Sequence, residues 1–314
     1  MRALVTGGAG FIGSSIAREL LRRGDQVRII DNFLTGFAEN VPAEAELLEA
    51  DIRDLDAVRR ACRDIDVVFH QAALRSVPKS VDDPLLSQSC NVEGTLHVLM
   101  AAADAGARRV VYASSSSVYG DRSEGVNNED LPTAPLSPYA VSKLAGENYC
   151  RVWTSLGRIS TVSLRYFNVY GPGQHPESKY SAVFPAFISS LVADVAPELH
   201  WDGEQSRDFC YIDDVVAANI AAAEAGDEVD GAVMNIGGGH PKSVNEVLQA
   251  VSDAVGRWID PVRLPRRPGD VRHTRADLTR AGELLAWKPQ TEWVESVEQT
   301  VGWFLRRNAL AAQS

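Results

Sequence analysis

Two side chains with complementary chemistry stand four residues apart near the middle of the chain, Tyr139 and Lys143. Ser137 is a favoured N-cap and Pro138 suits the first helical position, so the pattern predicts a helix over 138–156. Residues four apart share a helix face, which brings the phenol and the ammonium together. A tyrosine with its ordinary pKa of about 10 is a poor base at neutral pH. We expect the ammonium to lower that pKa enough for proton transfer.

A run of hydroxyl side chains precedes this helix. The apolar stretch 108–113 is typical of a buried strand, and it is followed by serines at 114–117. Open α/β sheets bind ligands at the carboxyl ends of their strands. We therefore expect Ser115 to orient a substrate hydroxyl against Tyr139. The polar connection 121–136 is expected to cover this site.

The elements that position these groups begin with a phosphate-binding pattern at the N-terminus. A short strand over 2–6 leads into Gly7-Gly8-Ala9-Gly10-Phe11-Ile12-Gly13, and a helical pattern follows. The glycines allow the tight turn and close backbone approach that a diphosphate at a helix N-terminus requires. The second strand, 26–30, is followed by Asp31, whose carboxylate can bond both ribose hydroxyls of NAD and would repel the 2′-phosphate of NADP. The sequence therefore predicts bound NAD.

Strands and helices alternate through the first half of the chain, which is typical of a Rossmann-type, doubly wound parallel sheet of the α/β class. Further members of this series are predicted at 45–50, 54–63, 66–70, 84–106 and 161–166. The alternation then loosens. We therefore expect a cofactor domain at 1–167 and a smaller C-terminal α/β substrate domain at 168–314, with some segments returning to the first. Helical patterns at 243–255 and 291–306 belong to the second domain.

Other residues at strand and helix ends are expected to face the same cofactor groove. Asp51 and Ile52 follow the third strand and are expected to hold the adenine through a carboxylate and a backbone amide. The residues predicted to bind NAD are Gly7, Gly10, Phe11, Ile12, Gly13, Asp31, Asn32, Asp51, Ile52, Gln71, Ala72, Ala73, Asn91, Tyr139 and Lys143.

The charge pattern indicates the kind of substrate. The chain carries 31 basic and 42 acidic side chains, a net charge of −11, which argues against broad binding to nucleic acid or to an anionic membrane. Arginines nevertheless cluster in the second half, at Arg207 and at 266–267. Guanidinium groups match phosphate oxygens, so we expect a small substrate that carries phosphate.

Cysteine usage and hydropathy indicate the compartment. The four cysteines are far apart and show no metal-ligand spacing, which is typical of buried thiols in a reducing environment. The N-terminus enters a strand at once, and no apolar run reaches bilayer length. These features predict a cytoplasmic protein without a signal peptide or membrane span.

Together these motifs resemble an extended short-chain dehydrogenase/reductase of the nucleotide-sugar epimerase kind. The resemblance rests on the glycine loop, the serine run with Val118-Tyr119-Gly120, the Tyr-x-x-x-Lys pair, and the segments at 165–171, 207–209 and 269–272. Within that family, the segments 70–78, 207–212 and 269–273 are most similar to the UDP-N-acetylglucosamine 4-epimerases.

The resemblance implies roles for individual residues. Tyr139 would be the acid/base, Lys143 its electrostatic partner and a ligand of the NAD ribose, and Ser115 the hydroxyl that bonds the sugar O4. A bulky tyrosine at the position of Thr274 restricts the family's sugar pocket to plain hexoses, whereas threonine leaves volume for an N-acetyl group. The implied substrate-binding residues are Ser76, Ser116, Asn168, Gln174, Arg207, Arg267, Asp270 and Thr274.

The implied activity is NAD-dependent 4-epimerisation of a UDP-sugar through a transient 4-keto sugar. It would interconvert UDP-GlcNAc with UDP-GalNAc, and UDP-Glc with UDP-Gal. By the same resemblance, helices 84–106 and 138–156 of two subunits would pair in a homodimer.

Three alternatives stay open at this point. Arg75 could meet a carboxylate, which leaves a UDP-glucuronate 4-epimerase, although such enzymes tend to carry threonine where this chain has Asn168. A dehydratase would need Asp and Glu where this chain has Ser116 and Ser117, since hydroxyls are too weak as acids and bases. A non-catalytic NAD-sensing protein on this fold would typically have lost the Tyr139 pair.

Overall fold

A computed structural model describes residues 1–121, 125–175, 182–266 and 271–311, and it describes side chains as far as residue 307. Its strands are β1 (Arg2–Thr6), β2 (Gln26–Asp31), β3 (Glu46–Glu49), β4 (Val67–His70), β5 (Arg109–Ser115), β6 (Ser160–Tyr166), β7 (Val169–Tyr170), β8 (Glu198–His200), β9 (Ser206–Arg207), β10 (Cys210–Tyr211), β11 (Val233–Ile236), β12 (Lys242–Ser243) and β13 (Val262–Leu264). Its α-helices are α1 (Phe11–Arg22), α2 (Leu55–Ala61), α3 (Val77–Asp82), α4 (Pro84–Gln88), α5 (Gly94–Asp104), α6 (Pro138–Ser155), α7 (Val183–Val192), α8 (Ile212–Glu224), α9 (Val244–Val255), α10 (Thr279–Leu285) and α11 (Trp293–Ala311).

Seven strands form one parallel sheet in the order β3-β2-β1-β4-β5-β6-β11. The chain adds β2 and β3 on one side of β1 and then adds β4, β5 and β6 on the other. The strand order therefore reverses between β1 and β4, and a crevice is expected there at the carboxyl ends of the strands. The doubly wound α/β fold predicted from the sequence is confirmed.

Successive residues of the central strands face opposite layers of the molecule. In β1, Ala3 and Val5 pack into an apolar cluster that also contains residues of α1 and α8, while Leu4 packs into a second cluster with residues of α2, α5 and α6. Parallel strands covered on both faces are apolar throughout their length. This explains the apolar runs that the sequence shows at 3–5 and 110–113.

The second half of the chain builds a smaller body and also returns to the sheet. Helices α7, α9 and α11 pack together, and short strands pair as β7 with β10, β9 with β12, and β8 with β13. Strand β11 joins the edge of the central sheet beside β6, and α8 packs against α1. These are the segments that return across the predicted boundary near 168, and the boundary itself stays a prediction.

The predicted single helix over 84–106 is divided in the structure. It consists of α4, a π-helical turn at Ser89–Glu93, and α5. The hydroxyl of Thr95 donates to the Asn91 carbonyl at 2.6 Å, and such back-bonding from threonine loosens a helix locally. Periodicity alone does not reveal a π turn, because the apolar spacing hardly changes. No helix among the described residues has both the length and the apolar content needed to cross a bilayer.

Candidate active site

A groove opens at the carboxyl ends of the central strands, where the strand order reverses. Its lining includes the turn after β1, the ends of β2, β5 and β6, the loop after β4, the start of α1, and residues of α6. All but one of the residues predicted to bind NAD line this groove, namely Gly7, Gly10, Phe11, Ile12, Gly13, Asp31, Asn32, Asp51, Ile52, Gln71, Ala72, Ala73, Tyr139 and Lys143.

The exception is Asn91, which lies beneath the groove. Its side-chain oxygen accepts from the Leu74 N–H at 2.7 Å, and its amide donates to the Leu74 carbonyl at 3.1 Å and to Ser142 Oγ at 2.9 Å. The residue is buried. Asn91 therefore fixes the loop after β4 against α6, and its hydrogen bonds go to the protein rather than into the groove.

The glycine turn at the end of β1 forms a cradle at the N-terminus of α1. Gly7 has a φ of 70°, in the left-handed region that favours glycine. A Cβ on Gly13 would lie 2.2 Å from the Gly7 carbonyl oxygen, so α1 can approach the turn only because that atom is missing. The first-turn N–H groups of the helix then face the groove, as a diphosphate requires.

Asp31 is held in place by backbone donors at the end of β2. One carboxylate oxygen accepts from the Ala9 N–H at 2.9 Å and the other from the Phe33 N–H at 2.8 Å. Each oxygen keeps a further lone pair for a ribose hydroxyl. Together with the glycine cradle, this carboxylate fits NAD and opposes a 2′-phosphate.

Asp51 is bound differently from the expectation. Its carboxylate pairs with Arg53 at 2.7 Å and accepts from Asn32 Nδ2 at 2.7 Å. The hydrogen bond from Arg53 lowers the pKa of Asp51 to about 2, so the group is a carboxylate that is already engaged. It still lines the groove.

Helix α6 carries the predicted catalytic pair as the sequence indicated. Ser137 Oγ accepts from the Ala140 N–H at 3.1 Å as the N-cap, and proline occupies the first turn. Lys143 is buried, and its Nζ donates to the Ala113 carbonyl of β5 at 2.8 Å. Burial lowers the pKa of Lys143 to about 8, so the ammonium form begins to lose its proton just above neutral pH.

The electrostatics of Tyr139 differ from the expectation. Burial in the groove raises the pKa of its phenol above the ordinary value. The interactions that lower it come from a hydrogen bond with Ser115 and from the charge of Arg75, whereas the Lys143 amine is directed to the strand. Ser115, predicted to orient a substrate hydroxyl, lies beside the phenol, and Arg75, which lines the groove, is a nearby cation.

A second cavity lies in the C-terminal part of the molecule. It combines aromatic side chains, among them Phe184 and Phe209, with the polar groups of Arg207, Gln205 and His200. Two buried polar atoms there, Gln205 Oε1 and His200 Nε2, make no hydrogen bond with the described residues. Buried polar atoms normally have partners, so this cavity suits a ligand with both a flat apolar surface and polar groups.

Two of the predicted substrate-binding residues line the second cavity, and the other described ones line neither cavity. Asn168 and Arg207 line the second one. Ser76 caps α3, Ser116 follows directly after β5, and Gln174 is buried with its Oε1 unbonded among the described residues. Thr274 accepts from the Asp208 N–H at 3.2 Å through its hydroxyl. The predictions for Arg267 and Asp270 fall outside the described residues.

The connection 121–136 was predicted to cover this site, but its described residues bond to other parts of the protein. The Asn127 N–H donates to the Arg275 carbonyl at 2.8 Å, and Glu129 accepts from the Asn235 N–H of β11 at 2.7 Å. Within the described part of this connection, 125–136, no residue lines either cavity. The polar side chains there bond the segment to neighbouring backbone instead of leaving it free to cover the groove.

Comparisons with known proteins agree with this geometry. Residues 3–237 match the family described as "NAD dependent epimerase/dehydratase family". The UDP-glucose 4-epimerase of Mycolicibacterium smegmatis is 39% identical over 315 residues, covering 98% of this chain and 100% of that protein.

The chain belongs to the NAD dependent epimerase/dehydratase family.

Two solved structures of epimerases are similar over the same extent. The UDP-N-acetylglucosamine 4-epimerase of Methanobrevibacter ruminantium M1, in complex with UDP-N-acetylmuramic acid, is 36% identical with a TM-score of 0.93, and 98% of each chain is covered. The UDP-glucuronic acid 4-epimerase of Bacillus cereus, in complex with UDP-glucuronic acid and NAD, is 33% identical with a TM-score of 0.91, covering 98% of this chain and 100% of that one. The predicted epimerase family and its dependence on NAD are confirmed.

Some groups at the groove of this epimerase-family protein were not anticipated from its sequence. The rings of Phe37 and His175 line the groove and stack with their centroids 3.7 Å apart. Arg307 of α11 donates to His175 Nε2 at 2.7 Å and pairs with Glu39 at 3.2 Å. These side chains come from two loops and the last helix, and no spacing in the sequence connects them.

The Asp31 carboxylate provides a first test of the cofactor site. In Asp31→Asn, one amide oxygen replaces two charged acceptors, so we expect NAD to bind about tenfold to a hundredfold more weakly. NADP should lose less, since the charge repulsion also disappears. Calorimetric titration of both dinucleotides into protein stripped of cofactor measures the change.

Asp66→Asn is the matched control, because Asp66 directly precedes β4, at the end of the strands opposite to the groove, and pairs with Arg2. Its NAD affinity should be that of the unchanged protein. An unaltered ratio of NAD to NADP affinity in Asp31→Asn would contradict the role assigned to this carboxylate.

Proposed function

We propose that the protein interconverts UDP-GlcNAc with UDP-GalNAc, and UDP-Glc with UDP-Gal, as an NAD-dependent 4-epimerase. The observation that carries this proposal is the position of Tyr139. Its phenol lies in the groove that fits NAD, hydrogen-bonded to Ser115 at the end of β5. The M. smegmatis and M. ruminantium relatives are named for epimerisation of UDP-glucose and UDP-N-acetylglucosamine, respectively.

The second cavity supports a nucleotide-bearing substrate. Its aromatic side chains suit a flat base, and Arg207 supplies a cation for phosphate oxygens. The Arg207 guanidinium also donates to the Ser206 carbonyl at 2.9 Å, which restricts its orientation. In this proposal the cavity holds the UDP while the sugar extends towards Tyr139, and this tether retains the sugar during the reaction.

The chemistry requires a base and an acid at one position. Tyr139 as phenolate accepts the proton of the sugar 4-hydroxyl, which Ser115 holds by a hydrogen bond. When bound, NAD+ supplies the acceptor and later the donor of the carbon-4 hydride, and its positive charge favours the phenolate. After the keto sugar has turned its other face, Tyr139 returns the proton to the oxygen. Substrate and product have the same oxidation state, so the reaction needs no external oxidant or reductant.

A direct test is to incubate the protein with UDP-GlcNAc, UDP-Glc and UDP-glucuronate and to follow the anomeric protons by NMR. We expect the 4-epimers of the first two sugars. Tyr139→Phe should lower kcat by at least about a hundredfold, since the proton then has no acceptor. Tyr149→Phe, on the same helix beside Trp153, should stay active. Product from UDP-glucuronate alone, or a fully active Tyr139→Phe, would contradict the proposal.

A second candidate, epimerisation of UDP-glucuronate, is favoured by Arg75. This guanidinium lines the groove and its charge influences Tyr139, so a sugar carboxylate beside the phenol would meet a cation. The B. cereus relative is named for that substrate. The same position is also consistent with a cation that acts on the phenol whatever the sugar.

Replacing Arg75 separates these two roles. We expect Arg75→Ala to lower kcat/KM similarly for every UDP-sugar, because the lost charge acts on Tyr139. A loss about tenfold or more greater for UDP-glucuronate than for UDP-Glc would instead favour the second candidate. Steady-state kinetics with both sugars make the comparison. Lys79→Ala, an exposed cation on α3, is the control for net charge.

We also propose that the protein forms a homodimer through the faces of α4, α5 and α6. Exposed apolar side chains are concentrated on α6 and on α3 and α4, which pack against it: Val81, Leu85, Val141, Val152 and Leu156. Several large apolar side chains exposed on adjoining helices mark an interaction surface. A second copy of the chain would cover them.

Mass measurement in solution by light scattering tests the dimer. The unchanged protein should have twice the mass of one chain, which is 34.1 kDa. Leu85→Glu should shift the mass towards the monomer, because a carboxylate would be buried without a partner. Val262→Glu replaces another exposed apolar residue, on β13, and should leave the dimer intact. A monomeric mass for the unchanged protein would contradict the proposal.

A further inference from the structure

A buried ion pair lies under the catalytic helix and belongs to neither cavity. Glu147 of α6 and Arg165 of β6 are only 4% and 5% exposed. The guanidinium donates through Nε and Nη2 to the two carboxylate oxygens, each at 2.8 Å. Burying such a pair is expensive unless its geometry is good and its remaining bonds are made. A pair placed here therefore calls for an explanation beyond stability.

The pair joins α6 to β6, and Glu147 also bonds β5, the strand that leads into the serine run. Ser114 donates its hydroxyl proton to Glu147, and the preceding residue, Ala113, accepts from Lys143 Nζ at 2.8 Å. Two consecutive residues of β5 thus hold two consecutive turns of the helix. Ser115, the next residue, contacts Tyr139. Tyr139, Lys143 and Glu147 are spaced by four and lie along one face of α6, and the three of them contact three consecutive residues of β5.

The contact between this helix and the strand leaves no room for adjustment. A Cβ on Gly146 would lie 2.1 Å from the Tyr112 hydroxyl oxygen. On its other side, Arg165 stacks over the ring of Tyr119 at 4.7 Å, and the Tyr119 hydroxyl donates to Asn235 of β11 at 2.7 Å. The ion pair is therefore fixed from both sides and cannot shift to follow the helix.

The ion pair of Glu147 and Arg165 also bears on the charge state of Lys143. The titratable groups facing the amine are Glu147 and Cys150 on its own helix, Tyr112 on β5 and His70 on β4. Burial raises the pKa of Cys150 to about 12, lowers the pKa of His70 to about 3 and raises the pKa of Tyr112. These three groups are neutral near pH 7. Among the described neighbours, the Glu147 carboxylate is the one that stabilises the ammonium by its charge.

Arg165 is the remaining charge near this group, and it faces Glu147 rather than Lys143. It orients the carboxylate through two hydrogen bonds. If the carboxylate lost its charge, the buried guanidinium would remain and would oppose the ammonium. Loss of the Glu147 charge therefore removes an attraction to Lys143 and leaves the repulsion from Arg165 unbalanced.

We propose that Glu147, held by Arg165 and Ser114, is a positioning residue that keeps Lys143 protonated and fixes Tyr139 against β5. The inference rests on the proposed function, since it gives Glu147 a role in turnover only if Tyr139 and Lys143 act on the sugar. It assigns no contact between Glu147 and substrate or cofactor. It does require that the charge of Glu147, and not merely its volume, sets the protonation of the lysine.

The test is Glu147→Gln in the protein with its bound NAD. We expect the pKa of Lys143 to fall by about one unit, because a facing opposite charge is lost. The chain has five lysines, so the 13Cε signal of Lys143 can be assigned with Lys143→Met and titrated directly by NMR. The alkaline limb of kcat should move to lower pH by the same amount, since the ammonium form is lost earlier as pH rises.

Two further variants separate charge from fold. Glu147→Asp keeps the charge on a shorter side chain, so the Lys143 titration should stay near its original pH while kcat falls. Asp230→Asn removes the acidic partner of the buried Arg109 at 3.1 Å, at the opposite end of β5. It should lower the unfolding temperature and leave both the lysine titration and the pH profile unchanged.

The outcomes distinguish this inference from the proposed function. If the unchanged protein epimerises its sugars but Lys143 titrates alike in Glu147→Gln and Asp230→Asn, the inference is wrong and the function stands. The inference is also wrong, and the function stands, if Glu147→Asp shifts the Lys143 titration as much as Glu147→Gln does. If no sugar is epimerised, the function is wrong, whereas the NMR titration still decides whether Glu147 sets the charge of Lys143. Should Glu147→Gln fail to fold, kcat of Glu147→Asp decides, since an unchanged kcat with the shorter side chain would overturn the positioning role.

Discussion

The site depends on keeping one ammonium group in the dry interface between α6 and β5. An unpaired buried charge costs several kcal/mol, and here a backbone carbonyl accepts from Lys143 while a carboxylate lies one turn away. Burial brings the pKa of Lys143 to about 8, so these contacts decide whether the group is charged at neutral pH. The contacts that hold this charge also attach the helix rigidly to the strand.

The parallel sheet determines where such an attachment is useful. Parallel strands end together, and the change of strand order between β1 and β4 leaves their ends open. Three consecutive residues at the end of β5 then face α6 on one side of the opening, and the glycine cradle and Asp31 occupy the other side. The cofactor groove and the catalytic helix are thus consequences of one topology and not independent features.

The environment of Tyr139 shows that burial affects the pKa of its phenol more than a cation four residues away on the same helix does. In the chain itself, burial raises the pKa of this phenol, and the opposing influences come from Ser115 and Arg75. In the proposed reaction, a phenol that burial keeps neutral would give up its proton only after a cationic ligand has completed the site. The positive charge that acts on the phenol in the chain itself comes from Arg75 in the groove.

The sequence by itself determined the fold class, the NAD groove and the helix that carries Tyr139 and Lys143. These depend on local rules: the apolar period of a strand buried on both faces, glycines at a turn, and a serine cap followed by proline. It did not reveal the π turn at Ser89–Glu93, because a π turn hardly changes the apolar spacing.

Tertiary structure alone decided the pairing of Glu147 with Arg165, the approach of Arg75 to Tyr139, and the stacking of Phe37 on His175. Each of these contacts joins segments distant in the chain. Their strength depends on burial and on distances between side chains. Spacing along a sequence encodes neighbours on one helix or strand, whereas the charge state of a buried group is set by whatever the fold brings against it.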